Sequence, residues 1–175
     1  FYYSGAHMQV AGLMAQYATG SSWQDIFTQF KNETGLFASA AYDLPSSSNP
    51  RLAGGMHWQA SEYLDFLRAL KAGTLLSSST MTELLKDQTA SSQMLYSPPK
   101  TDLNEDWHYG LGLWHESGTD RVSSPGAFGA YPFWDRSKNY FGIVARQGST
   151  GTYPKGINIE RSVRSKADAW ATCTF

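Results

Sequence analysis

The sequence predicts an α+β fold: a helical region, then three antiparallel strands, then a closing helix. Three observations predict it. Apolar residues recur at spacings of three and four up to about Asp87. From Tyr109 the pattern changes to strand-like alternation and aromatic–glycine runs. Residues 157–171 then return to a helical period. Helices and strands segregated in this way belong to α+β folds, with an antiparallel sheet packed on helices.

The elements follow in order. Phe1 to Ala11 reads as a strained turn running into a helix, with Tyr3 at the junction. Met8, Ala11, Ala15 and Ala18 mark one helix face over 6–19, and Gly20 stops it. Ser22 caps a second helix with Asp25 in its first turn, and Gly35 ends it. Residues 35–59 read as loop, with Pro45 to Pro50 and Gly54-Gly55 as breakers. Ser61 is expected to cap a third helix through Ala72, before Gly73. Thr80-Met81-Thr82-Glu83 has the capping-box pattern and opens a fourth, to about Asp87. Residues 88–106 are polar, hold Pro98-Pro99 and read as loop. Strands are expected over Tyr109–His115, Ser123–Asp135 and Tyr140–Arg146, with a hairpin turn at Asp135 to Asn139. The last helix is expected over Ile157–Ala171. The domain reading is a mainly helical region, 1–106, and C-terminal strands with a helix, 107–175, in one structural domain.

Composition narrows the function classes. The chain has 175 residues, a net charge of -1 and a charged share of 17%, with no block of like charge. Nucleic acid as a partner would want a clustered basic footprint, which is missing. Apolar runs are too short for a membrane span. Cys173 is the only cysteine, so neither a disulfide framework nor a Cys-based metal site is expected. His7, His57, His108 and His115 show no metal spacing, and neither metal nor cofactor is expected. The chain opens inside what reads as a motif, without initiator Met or leader, and is expected to be a fragment or processed chain.

Two stretches can carry chemistry. Tyr3 sits at a helix start, where unpaired N–H groups favour negative charge. A phenol is a poor base unless cations or donors stabilise its phenolate, so a packed tyrosine is the plainer reading from the residues alone. In Ser123-Ser124-Pro125-Gly126-Ala127-Phe128-Gly129, small residues let a ligand approach the backbone; the plainer reading is a Gly/Pro turn. Ser97-Pro98-Pro99-Lys100 has the letters of a Ser-x-x-Lys pair, but two prolines are expected to prevent the helical turn it needs. Asn32-Glu33-Thr34 matches a glycosylation acceptor, a pattern common by chance. A carbohydrate-binding module would need the six tryptophans on one surface; most are expected to be buried.

Three stretches together resemble the β-lactamase-related serine hydrolases, which take in class C β-lactamases, D-Ala-D-Ala peptidases and esterases of the same fold. Phe1-Tyr2-Tyr3-Ser4-Gly5, with the helix ending Ala18-Thr19-Gly20 and then Ser22-Trp23, resembles the family's F-x-Y-S-N segment and helix pair. Asn49-Pro50-Arg51-Leu52-Ala53-Gly54-Gly55, with Ser61 to Leu67, is similar to its Gly-Gly loop and following helix. Tyr109-Gly110-Leu111-Gly112-Leu113-Trp114, with Ser124-Pro125-Gly126 and Gly129, resembles the last strands, where the family has K-T-G or H-x-G.

The resemblance implies a β-lactamase/transpeptidase-like fold with an incomplete sheet, and hydrolysis of an ester or amide through an acyl-enzyme. Tyr3 would be the general base or proton relay. Ser124, Pro125 and Gly126 would form the substrate strand, Ala127 would give an oxyanion-hole N–H, and Ser4 and Gly5 would lie beside substrate. Three departures stand out. The family's Ser-x-x-Lys is missing from the segment before Tyr3, Gly5 replaces an Asn, and Ser124 replaces a Lys or His. These point to an esterase-like member, inactive as this chain alone, partnered by the N-terminal part of the same fold. The alternative is a catalytically inactive relative serving as a binding or structural module. The resemblance favours an extracellular or periplasmic setting.

Overall fold

A computed structural model describes residues 1–173. The expected region 107–175 therefore ends on Thr174 and Phe175, which lie outside the described residues. The chain forms two compact units. One is Ser4–Leu75; the other joins Phe1–Tyr3 to Leu76 and the residues after it.

The Ser4–Leu75 unit holds three helices and a two-stranded ribbon. Helix α1 (Ala6–Thr19) stops at Gly20, whose φ of 67° suits a residue without Cβ. Helix α2 (Trp23–Thr34) starts at Ser22, whose hydroxyl accepts from the Asp25 N–H, and stops at Gly35. Strands β1 (Ala41–Tyr42) and β2 (Met56–His57) pair antiparallel within the expected loop. Gly55 is required beside them, since a Cβ there would come within 2.3 Å of the Leu44 carbonyl oxygen. Helix α3 (Ala60–Lys71) starts two residues before the expected point. Its cap is Gln59, not Ser61, because Glu62 reaches back to the Gln59 N–H at 3.2 Å. Phe27, Phe37 and Ala40 are buried among Phe30, Tyr42, Trp58, Tyr63 and Phe66, which makes an aromatic core. Helix α1 also carries exposed apolar residues at Val10, Leu13, Met14 and Tyr17. Their spacing of three and four makes one stripe.

The second unit is a sheet backed by a long helix. Helix α4 (Ser78–Leu84) is capped by Ser77, whose hydroxyl takes the Thr80 N–H, so Thr80 lies inside the helix rather than capping it. Helix α5 (Pro98–Leu103) corrects the expected loop: the two prolines occupy its opening positions, where no N–H partner is required. The turn that Ser97-Pro98-Pro99-Lys100 was expected to lack therefore forms. Lys100 nonetheless turns away, to Asp106 at 2.9 Å.

The sheet has five strands rather than three, in sequential order and all antiparallel. They are β3 (His108–Tyr109), β4 (Trp114–His115), β5 (Arg121–Ser123), β6 (Tyr131–Asp135) and β7 (Tyr140–Val144). The expected strand Tyr109–His115 is a hairpin, closed by the Gly110 N–H on the Leu113 carbonyl and by Gly112 at φ 83°. The expected strand Ser123–Asp135 is broken by the loop around Pro125, Gly126 and Gly129. The hairpin turn at Asp135 to Asn139 forms, its carboxylate accepting from the Lys138 N–H and the Ser137 hydroxyl, both at 2.9 Å. Helix α6 (Tyr153–Ala171) packs on β6 and β7 and begins earlier than expected, with Pro154 in its first turn. Gly156 lets it sit close, since a Cβ there would lie 2.1 Å from the Gly129 carbonyl oxygen. Trp107, Tyr109, Trp114, Tyr131, Phe133 and Ile157 form the core. Of the other tryptophans, Trp23, Trp58 and Trp134 are half-buried and Trp170 is exposed.

Arg121 is buried in this unit. It donates to Glu160 at 2.6 Å, Asp135 at 3.1 Å and the Tyr140 hydroxyl at 2.8 Å, over the face of Phe133. Arg121→Leu should leave Asp135 and Glu160 without their shared cation and cost about 3–5 kcal/mol. Urea denaturation of the whole chain measures it, and a loss under about 1 kcal/mol, the scale of an exposed pair, would show the network is slack.

Candidate active site

The first three residues are extended rather than coiled into a strained turn, and Gly5 before α1 has an ordinary φ of -76°. Tyr2 bridges Tyr96 in parallel, Leu95 donates to the Phe1 carbonyl at 2.7 Å, and the Tyr3 N–H donates to Tyr96 at 3.1 Å. Side chains in extended backbone alternate. Tyr2 points out against Tyr96, while Phe1 and Tyr3 turn inward. The Tyr3 ring lies 5.3 Å from Tyr109, edge-on, and 4.8 Å from Trp114.

Trp114 links Tyr3 to the second stretch. It is the cross-strand partner of Ser123, the residue before Ser124. Ser124 keeps its strand bond, donating to the Pro132 carbonyl at 3.1 Å. Gly126 donates to Ala130 at 2.8 Å and accepts from Gly129, which curls the chain out of the sheet. Ser124, Pro125 and Gly126 are half-buried and Ala127 is exposed. The Ala127 carbonyl accepts from Thr152, while its N–H has no partner among the described residues. Ser4 and Gly5 are exposed and belong to the other unit, at the start of α1, where the Ser4 carbonyl meets His7 Nδ1 at 2.7 Å.

Burial, with a smaller contribution from Tyr96, raises the Tyr3 phenol above its ordinary value of 10.0. Desolvation favours the neutral form, and no cation on Ser124 opposes it. Tyr3 at neutral pH is therefore a phenol, able to pass a proton along a hydrogen bond but not poised as a phenolate.

Sequence reasoning missed a cation beside the loop. Arg146 donates to the Phe128 carbonyl at 2.9 Å and to the Thr152 hydroxyl at 2.7 Å. Its guanidinium occupies space that a Cβ on Gly129 or Gly148 would take, so those glycines were the available signal. Two histidines have carboxylate partners far off in sequence: His57 with Asp43 at 2.5 Å and His108 with Asp87 at 2.6 Å. Among the described residues, no group of His, Cys, Asp or Glu could hold a metal ion, and no helix is long and apolar enough to cross a membrane.

The architecture is shared with solved structures. A candidate β-lactamase from Bacteroides dorei DSM 17855 matches with a TM-score of 0.70 at 24% identity, over 94% of this chain and 57% of that one. A penicillin-binding protein from Bacillus halodurans matches at 0.67 and 17% identity, over 93% of this chain and 56% of that one. The chain has the β-lactamase/penicillin-binding-protein fold and spans little more than half the length of either structure. No family model matches it, and no curated protein does.

The raised phenol has a measurable consequence. With folded pKa above unfolded, its contribution to stability is complete below pH 10 and is lost as pH rises toward the folded value. In carbon-labelled tyrosine NMR, the resonance absent from Tyr3→Phe should remain a phenol at pH 10; half-ionisation below that pH would contradict the burial effect.

Proposed function

We propose that this chain is the C-terminal part of a β-lactamase-fold serine hydrolase that cleaves an ester or amide through an acyl-enzyme. The observation that carries the reading is the fold likeness over 94% of the chain, joined to the two motif stretches it contains. The N-terminal part of the same fold would supply the nucleophilic serine. Tyr3, as a neutral phenol, would relay its proton, and the open Ala127 N–H would face the tetrahedral oxyanion. Ser124, Pro125 and Gly126 would line substrate from the strand. The exposed stripe on α1, and the exposed Ile159, Val163 and Trp170 on α6, support a further polypeptide covering each.

A second reading has its own support. The raised Tyr3 phenol, Gly5 and Ser124 all suit a relative that binds without turnover.

A fluorophosphonate probe with intact-mass detection separates the two. This chain alone should stay unlabelled. Together with a companion polypeptide that carries Ser-x-x-Lys, the companion should be labelled on that serine. A complete companion that stays unlabelled and turns over no ester sinks the enzyme reading. The site assignment has a separate check: Ser124→Lys should lower the Tyr3 titration by bringing a cation toward the phenol, and an unmoved titration would show Ser124 is out of its reach.

A further inference from the structure

The Ser4–Leu75 unit contains a cavity of about 220 Å³ between α1, the start of α2 and the loop from Ser47 to Leu52. Its lining has no charged side chain. It is walled instead by carboxamides and an indole. Gln16 accepts from the Trp23 N–H at 3.2 Å through its oxygen, and its amide nitrogen has no partner among the described residues. Gln24 is the converse. Its nitrogen donates to the Tyr42 and Ser47 carbonyls at 2.6 and 2.8 Å, and its oxygen has no partner. Gln9 pins the loop, donating to Pro50 at 3.2 Å and accepting from Leu52 at 3.1 Å. Trp23 Nε1 is buried without an acceptor.

The lining therefore offers one unpaired donor and one unpaired acceptor, each held still by its other end. Such a set suits a ligand with hydroxyls that both donate and accept. A charged ligand would lose its hydration with nothing to pair it. The volume lies below the roughly 300–1,000 Å³ of drug-sized sites, which limits the occupant to something compact. We propose that this cavity binds one neutral, hydroxyl-rich ring, a single sugar unit, with the Gln16 nitrogen and the Gln24 oxygen as its contacts and with Trp23 and Asn49 in its lining. The site is independent of the acyl-transfer reading.

The test is proton–nitrogen NMR of the whole chain titrated with methyl α-D-glucoside, methyl β-D-galactoside, methyl α-D-mannoside and N-acetyl-D-glucosamine. The Trp23 indole signal, identified by its loss in Trp23→Phe, should shift saturably with at least one of them. Asn49→Ala and Gln24→Ala should each weaken that binding by roughly two- to tenfold, the effect of one neutral hydrogen bond. Gln24 also holds the loop, so if its variant unfolds, the exposed Asn49 carries the comparison. The proposal is overturned if none of the four sugars moves the signal, or if only inorganic phosphate or N-acetylglycinamide does.

Discussion

The ion cluster around Arg121 is the constraint on which the sheet-and-helix unit depends. A guanidinium stays charged at any working pH, and burying one requires carboxylates in matched positions. Strand β5 supplies the arginine, β6 supplies Asp135 and α6 supplies Glu160. The three elements must therefore meet in one register. Burial works against the Asp135 carboxylate, but the Lys138 N–H, the Ser137 hydroxyl and Arg121 outweigh it and hold the group at about 2. Arg164 extends the cluster from Glu160 toward Glu116, which burial pushes above its ordinary value and to which the Tyr131 hydroxyl donates. Ser123 lies two residues beyond Arg121, so the register that pairs these charges also sets where the Ser124 stretch leaves the sheet.

Much of the fold was legible where one local rule decides an element. Helices α1 and α2 have the expected limits because a glycine with positive φ follows each. The Asp135 turn was legible because its carboxylate caps its own backbone. The differences arise where two rules compete. Pro98-Pro99 reads as a helix breaker from inside a helix and as a helix opener from its first turn, and only the surroundings say which applies. Gly110 and Gly112 read as light positions in one strand or as a turn between two. Gln59 prevailed over Ser61 because Glu62 could also take the Ser39 N–H at 2.6 Å, a partner far off in sequence.

The candidate site was legible as motifs and opaque as chemistry. The letters around Tyr3 and Ser124 gave the two stretches, but nothing in them reveals that Trp114 lies between. Nor does local sequence give the desolvation that raises the Tyr3 phenol, since that comes from rings contributed by β3 and β4. Arg146 was invisible for the same reason: it approaches the Gly126 loop from the chain beyond β7. Long-range placement, rather than residue type, carries this information.

The extended segment Phe1–Tyr3 has a consequence for the order of assembly. It pairs with Leu95 and Tyr96, yet the unit that follows it is one uninterrupted stretch ending at Leu75. On a ribosome, that stretch can complete its aromatic core while later codons are still unread. The three residues ahead of it must wait, unpaired, until their partners emerge. Contacts of such wide sequence separation form late and slowly. Tyr3 would thus be made before the Ser4–Leu75 unit and reach its final surroundings after it.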